Sequence, residues 1–173
     1  LGSCFMTGPL IAEKEIGEQT GVAVALDPNT GEILAMASKP AFDPNLFATR
    51  ISRTDWNSLN SDPRKPLQNR SIQNHYSPGS VFKVFMAAAG LEAEVINPLE
   101  TMFCPGHATF YGHTFGCHGT HGTVGLHEAI VSSCNVFFYN VGKDLGIDRI
   151  SQYATQMGLG RKTGIDLPNE DPG

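Results

Sequence analysis

The sequence predicts a mixed α/β chain of the α+β kind, and three features carry that prediction. Val22 to Leu26 and Ile33 to Ala37 are β-prone runs around Asp27-Pro28-Asn29-Thr30-Gly31, whose residues favour a turn, so together they read as a hairpin. Val81 to Leu91, rich in Phe, Met and Ala and preceded by the backbone punctuation of Pro78 and Gly79, reads as a helix buried on most of its faces. Gly125 to Gly146 reads as a helix pair, Leu126 to Val131 and Val136 to Leu145, interrupted at Ser132-Ser133-Cys134-Asn135.

The chain has 173 residues of which 40% are hydrophobic, enough for one compact domain or a piece of one. A net charge of −5 without any Lys/Arg cluster argues against nucleic acid as a partner. No apolar run approaches the ~20 residues that span a bilayer, so a membrane anchor of a parent protein is expected to lie outside this chain. No internal repeat or low-complexity segment is present.

In chain order, residues 1–20 form an N-terminal segment to which no function attaches. Leu1-Gly2-Ser3-Cys4 reads as an expression-derived leader and Ala12 to Gln19 as a short helix rich in glutamate. After the hairpin, Lys39 to Asn74 is rich in Pro, Asn, Ser and charge. It is long for a loop, so short helices are expected, with Trp56 as the large anchor and the segment lying over the approach to an active site. Asn69-Arg70 reads first as structural, because arginine ties loops through several backbone hydrogen bonds, with a place lining the cleft as the alternative. Asn97-Pro98 ends regular structure after the Val81 helix. Ile147 to Met157 reads as an amphipathic packing helix ended by Gly158.

The chemistry centres on Ser80 and Lys83. Ser80 would open the helix, and Lys83, three residues on, shares its face. A lysine in an apolar run shifts toward its neutral form and can take the serine proton, while N–H groups at the helix start stabilise an oxyanion. The competing reading is an N-cap serine followed by a solvated lysine. The second concentration lies between Met102 and Cys134: Cys104, Cys117 and Cys134, with His107, His113, His118, His121 and His127 interspersed in what reads as a loop. A soft-metal site, disulfides that include Cys4, and free buried thiols are all compatible with this composition. His127-Glu128 is followed by Ala129-Ile130-Val131, which excludes a His-Glu-x-x-His zinc protease.

A wider pattern joins these pieces. Val24-Ala25-Leu26-Asp27-Pro28-Asn29-Thr30-Gly31-Glu32-Ile33-Leu34-Ala35-Met36, Phe42-Asp43-Pro44-Asn45, Asn69-Arg70, Ser77-Pro78-Gly79-Ser80, Ser133-Cys134-Asn135 and Thr163-Gly164-Ile165-Asp166-Leu167-Pro168 occur in this order. In these blocks the chain resembles the class B penicillin-binding proteins, and within them the penicillin-binding protein 2 branch of peptidoglycan D,D-transpeptidases. The resemblance covers residues 21–173. It implies the penicillin-binding protein transpeptidase and serine β-lactamase-like fold, N-terminal part only, with the hairpin in a central antiparallel sheet.

The resemblance also implies roles. Ser80 is the nucleophile and Lys83 its base; Ser133 shuttles a proton with Lys83; the Asn135 amide binds the substrate backbone while donating to Lys83. Lys162-Thr163-Gly164 spells the family's third motif, but its surroundings match a Thr-Gly-Ile-Asp-Leu-Pro loop, so residues 21–173 are expected to be a partial domain without that motif and poorly active alone. Spacing and resemblance together select Cys104, Cys117, His121 and Cys134 as ligands of a structural Zn2+, with His118 or His113 as substitutes for His121. The implied activity is acyl transfer between peptidoglycan stem peptides, blocked by β-lactams, at the periplasmic side of a bacterial inner membrane beside cell-wall elongation proteins. A serine β-lactamase, a penicillin-sensing receptor domain and a non-catalytic zinc-stabilised module are the rival readings.

Overall fold

The computed structural model describes residues 4–173, which fall into two compact units. The first runs up to His75 and takes in Gly164–Asp171; the second comprises Tyr76–Thr163 with Pro172–Gly173.

In the first unit β1 (Gly21–Leu26) and β2 (Ile33–Lys39) pair antiparallel, Gly21 opposite Lys39 and Ala25 opposite Ala35. Asp27 closes the turn: its carboxylate accepts the Asn29 N–H at 2.7 Å and its carbonyl the Gly31 N–H at 2.8 Å. Helix α1 (Cys4–Ile16) packs on β2 and starts well before the expected Ala12. Leu1 to Ser3 lie outside the described residues. The segment from Lys39 to Asn74 carries a 3-10 turn at Pro44–Phe47, α2 (Arg53–Ser61) and α3 (Arg70–Gln73). Trp56 is not its anchor. That side chain is 43% exposed, and α2 buries no residue. The anchor is Arg70, 5% exposed, whose guanidinium donates to the carbonyls of Lys65 (3.0 Å), Gln68 (3.4 Å) and Arg64. Its backbone N–H donates to Ser38 Oγ at 3.0 Å, which ties the segment to β2.

In the second unit Gly79–Val81 form a 3-10 turn that feeds α4 (Phe82–Glu92). Ser80 therefore does not cap the helix; it sits inside the tighter turn, where Gly79 takes φ +55. Helix α4 buries Met86, Ala87, Ala89 and Gly90, half-buries Phe82, Lys83 and Phe85, and leaves one stripe at Val84, Ala88, Leu91 and Glu92 exposed, as the apolar run predicts. Its partner is α6 (Asn135–Gln156), which breaks at Gly146 (φ 73, ψ 161) into two helices that correspond to those read from the sequence. Between them α5 (Leu126–Val131) begins at Gly125, whose N–H donates to Glu128 Oε2 at 3.1 Å. Met86, Ile96, Val124, Phe137, Phe138, Val141 and Leu145 belong to the core of this unit.

The stretch read as a loop contains four short strands. β3 (Met102–Cys104) pairs with β6 (Gly122–Val124), and β4 (His107–Phe110) pairs with β5 (His113–Gly116), both antiparallel. Tyr111 (φ 51) and Gly112 (φ 81) make the two-residue turn between β4 and β5, both in the left-handed region that such turns require. Lys162-Thr163-Gly164 lies in irregular chain, not on a strand.

Candidate active site and metal centre

Ser133-Cys134-Asn135 joins α5 to α6, and its conformation decides where three side chains go. Ser133 takes φ 52, held by its N–H on the Ile130 carbonyl (3.1 Å) and by the Cys134 N–H on the Ala129 carbonyl (2.8 Å). The Cys134 side chain turns into the core and is fully buried, while Ser133 and Asn135 reach Lys83 on the first turn of α4.

Lys83 Nζ donates to the Ser133 carbonyl at 2.6 Å, to Ser133 Oγ at 2.8 Å and to Asn135 Oδ1 at 2.6 Å, so all three ammonium protons have acceptors. Ser133 Oγ donates in turn to Ser80 Oγ at 2.8 Å. Among the described residues no direct hydrogen bond joins Ser80 to Lys83; the Ser133 hydroxyl stands between them. Nor does the Asn135 amide donate to Lys83. An ammonium has no lone pair, so the carboxamide turns its oxygen to Lys83 and its Nδ2 donates to the Gly116 carbonyl at 3.2 Å. Burial pushes Lys83 below the ordinary amine value, opposed by charge on Cys117 and Cys134. Ser80 itself is exposed.

On the inner side of the same tripeptide, Cys104, Cys117, His121 and Cys134 place their ligand atoms within 4.8 Å of one another. His121 Nδ1 lies 3.5 Å from both Cys104 Sγ and Cys117 Sγ. A tetrahedral zinc with ordinary Zn–S and Zn–N bonds separates such a pair by ~3.6 Å, so the donor set fits the ion in kind and in size. The three thiols are free, and Cys4, the other disulfide candidate, is described only through its backbone. His113 and His118, the substitutes for His121, are exposed and outside the cluster. Burial alone would raise Cys117, yet the N–H groups of Val136, Asn135 and Gly119 outweigh it and bring the thiol to about 6; burial pushes Cys134 up to about 11. The Asn135 N–H reaches Cys117 Sγ at 3.1 Å, which joins the two clusters directly.

Sequence reading missed Gly116, whose carbonyl orients the Asn135 amide. The available signal was the Thr109-Phe110 and His113-Thr114-Phe115 alternation around Tyr111-Gly112, a hairpin pattern hidden by its brevity.

The model of the penicillin binding protein transpeptidase domain matches residues 21–173. The chain belongs to the penicillin-binding protein transpeptidase family. This transpeptidase-family chain is 40% identical over 168 residues to the peptidoglycan D,D-transpeptidase MrdA of Acinetobacter baumannii, a match covering 95% of this chain and 25% of that protein. It is 39% identical over 161 residues to MrdA of Escherichia coli, covering 91% and 25%. Among solved structures, penicillin-binding protein 2 of Pseudomonas aeruginosa in complex with WCK 5153 superposes with a TM-score of 0.86 at 37% identity, over 94% of this chain and 38% of that one. The complex of penicillin-binding protein 2 with MreC from Helicobacter pylori gives 0.85 at 34% identity, over 92% and 30%. The chain thus spans about a quarter of the length of the curated relatives it matches, and its fold is that of the penicillin-binding protein transpeptidases over part of the domain.

Proposed function

We propose that residues 21–173 are the nucleophile-bearing part of a serine-type peptidoglycan D,D-transpeptidase. The observation that carries this reading is the unbroken chain Ser80 Oγ, Ser133 Oγ, Lys83 Nζ, Asn135 Oδ1. With Lys83 neutral, the Ser80 proton passes to Ser133 and the Ser133 proton to Lys83, leaving Ser80 Oγ free to attack. The target is the carbonyl between the two terminal D-alanines of a stem peptide. The N–H of Ser80 at the start of the helical run stabilises the oxyanion. Lys83 returns its proton through Ser133 to the leaving amine, D-alanine departs, and an amine of a neighbouring strand then takes the acyl group from Ser80. A β-lactam opens on the same oxygen.

Cys104, Cys117, His121 and Cys134 would hold a structural zinc that supplies a cross-link and no reactive position, because four protein ligands close its shell. The setting is the outer face of a bacterial inner membrane, and among the described residues no helix is long and apolar enough to cross one. The MreC complex of the Helicobacter relative supports a place beside elongation proteins.

The test is covalent labelling by a fluorescent penicillin in a chain extended to the length of its relatives. Ser80→Ala should abolish the label; a label that survives removes Ser80 from its role.

A further inference from the structure

We propose that Cys104 and Cys117 form a redox switch, in which peroxide joins them as a disulfide, expels the bound metal and releases the hold on Asn135. The proposal rests on the metal centre described above and concerns what its sulfurs do when oxidised. Cys117 is half-buried, whereas Cys104 and Cys134 are 1% and 0% exposed, so an oxidant meets Cys117 first. Its partner is set by geometry: the Cys104 and Cys117 sulfurs both lie 3.5 Å from His121 Nδ1, and the Cys117 N–H donates to the Gly106 carbonyl at 2.8 Å, which draws the two stretches together. Cys134 is the least free to move, fixed between Ser133 and Asn135 with its N–H on the Ala129 carbonyl.

The chemistry balances with hydrogen peroxide as the only co-reactant. The Cys117 thiolate attacks one peroxide oxygen, the O–O bond breaks and hydroxide leaves, giving a sulfenic acid. The Cys104 thiolate then attacks that sulfur, the S–S bond forms, the S–O bond breaks and a second hydroxide leaves. Two thiolates have lost two electrons and one peroxide has gained them. Cys134 and His121 alone would supply only two of the four protein ligands, too few to keep a zinc in place.

The switch reaches the active site through two bonds. The Asn135 N–H rests on Cys117 Sγ at 3.1 Å, and the Asn135 Nδ2 rests on the carbonyl of the preceding residue, Gly116, at 3.2 Å. Drawing Cys117 toward Cys104 disturbs both. Oxidation should therefore slow acylation without touching Ser80 or Lys83.

Zinc-loaded protein is titrated with hydrogen peroxide while a chromophoric chelator reads zinc, and peptide mapping reads the state of each cysteine. One zinc released per Cys104–Cys117 disulfide, reversed by dithiothreitol with added zinc, is the expected result. Fluorescent penicillin labelling in the extended chain should fall about tenfold in step, the scale of disturbing groups that orient a site. Zinc retained through the titration, release accompanied by Cys117 sulfinic acid, a disulfide to Cys134, or an unchanged labelling rate would each overturn the proposal. Protein purified with reduced thiols and no zinc would instead refute the metal reading, and the same peptide map would still decide whether Cys104 and Cys117 pair.

Discussion

Lys83 donates to three acceptors, and the proposed relay requires it to be neutral before Ser80 attacks. Burial lowers its pKa and favours that neutral form. In the extended chain, the second-order rate of penicillin acylation should rise with pH through an inflection below the ~10.4 of a free lysine, and Lys83→Arg should lower it by ~10²–10⁴. Stability carries the matching sign. With the folded pKa below the unfolded one, the unfolded chain binds more protons between the two values. The cost of burying the ammonium is thus fully borne below the folded pKa and relieved as pH rises toward the unfolded value, a trend that denaturation midpoints across the alkaline range would show. That Ser80 and Lys83 lie in adjacent turns was legible from residue count, whereas the Ser133 hydroxyl that joins them was not. Nor was the acceptor role of Asn135, since it depends on which atom of a distant side chain arrives.

At the scale of elements, α4 meets its surroundings most closely at Gly90. A Cβ there would lie 2.5 Å from Ile96 Cδ1 and 3.1 Å from Val141 Cγ1, so glycine permits the approach of α4 to α6 and to the chain after it. Gly90→Ala should destabilise by about 1–3 kcal/mol despite the better helix propensity of alanine, measured by denaturant unfolding. A neutral or stabilising result would mean that Ile96 repacks freely. Helices α5 and α6 were readable from their apolar runs, and the break at Gly146 from its glycine. β3 to β6 were not, because strands of three or four residues carry too few alternations to set a period. Trp56 misled because size alone does not bury a side chain: α2 has no buried residue for it to pack with.

For the whole molecule, the metal centre is where folding and chemistry converge. Its four candidate ligands come from β3, from Cys117 and His121 on the way to β6, and from the head of α6, so a bound metal would contribute folding free energy to all of them. Protein purified without added metal should carry about one zinc per chain by elemental analysis. Removing it with a chelator, or changing His121→Ala, should lower the melting temperature and slow acylation together. Loss of stability with acylation unchanged would show that the Asn135 N–H does not need Cys117. Family blocks scattered from residue 21 onward made the fold legible. That Cys104, Cys117, His121 and Cys134 come together was legible only because spacing and resemblance agreed, since composition alone left disulfides and free thiols open.

The left-handed backbone of Ser133 has a consequence for which alcohol can serve there. Threonine offers the same hydroxyl, yet a β-branched side chain at positive φ is strained. Ser133→Thr should therefore impair acylation as a conformational lesion with its functional group intact, and Ser133→Gly should relieve the backbone while deleting the relay. The pair separates geometry from chemistry at a single position: serine is the residue that satisfies both, and the interchange of hydroxyls that most surfaces tolerate is closed off here by one torsion angle.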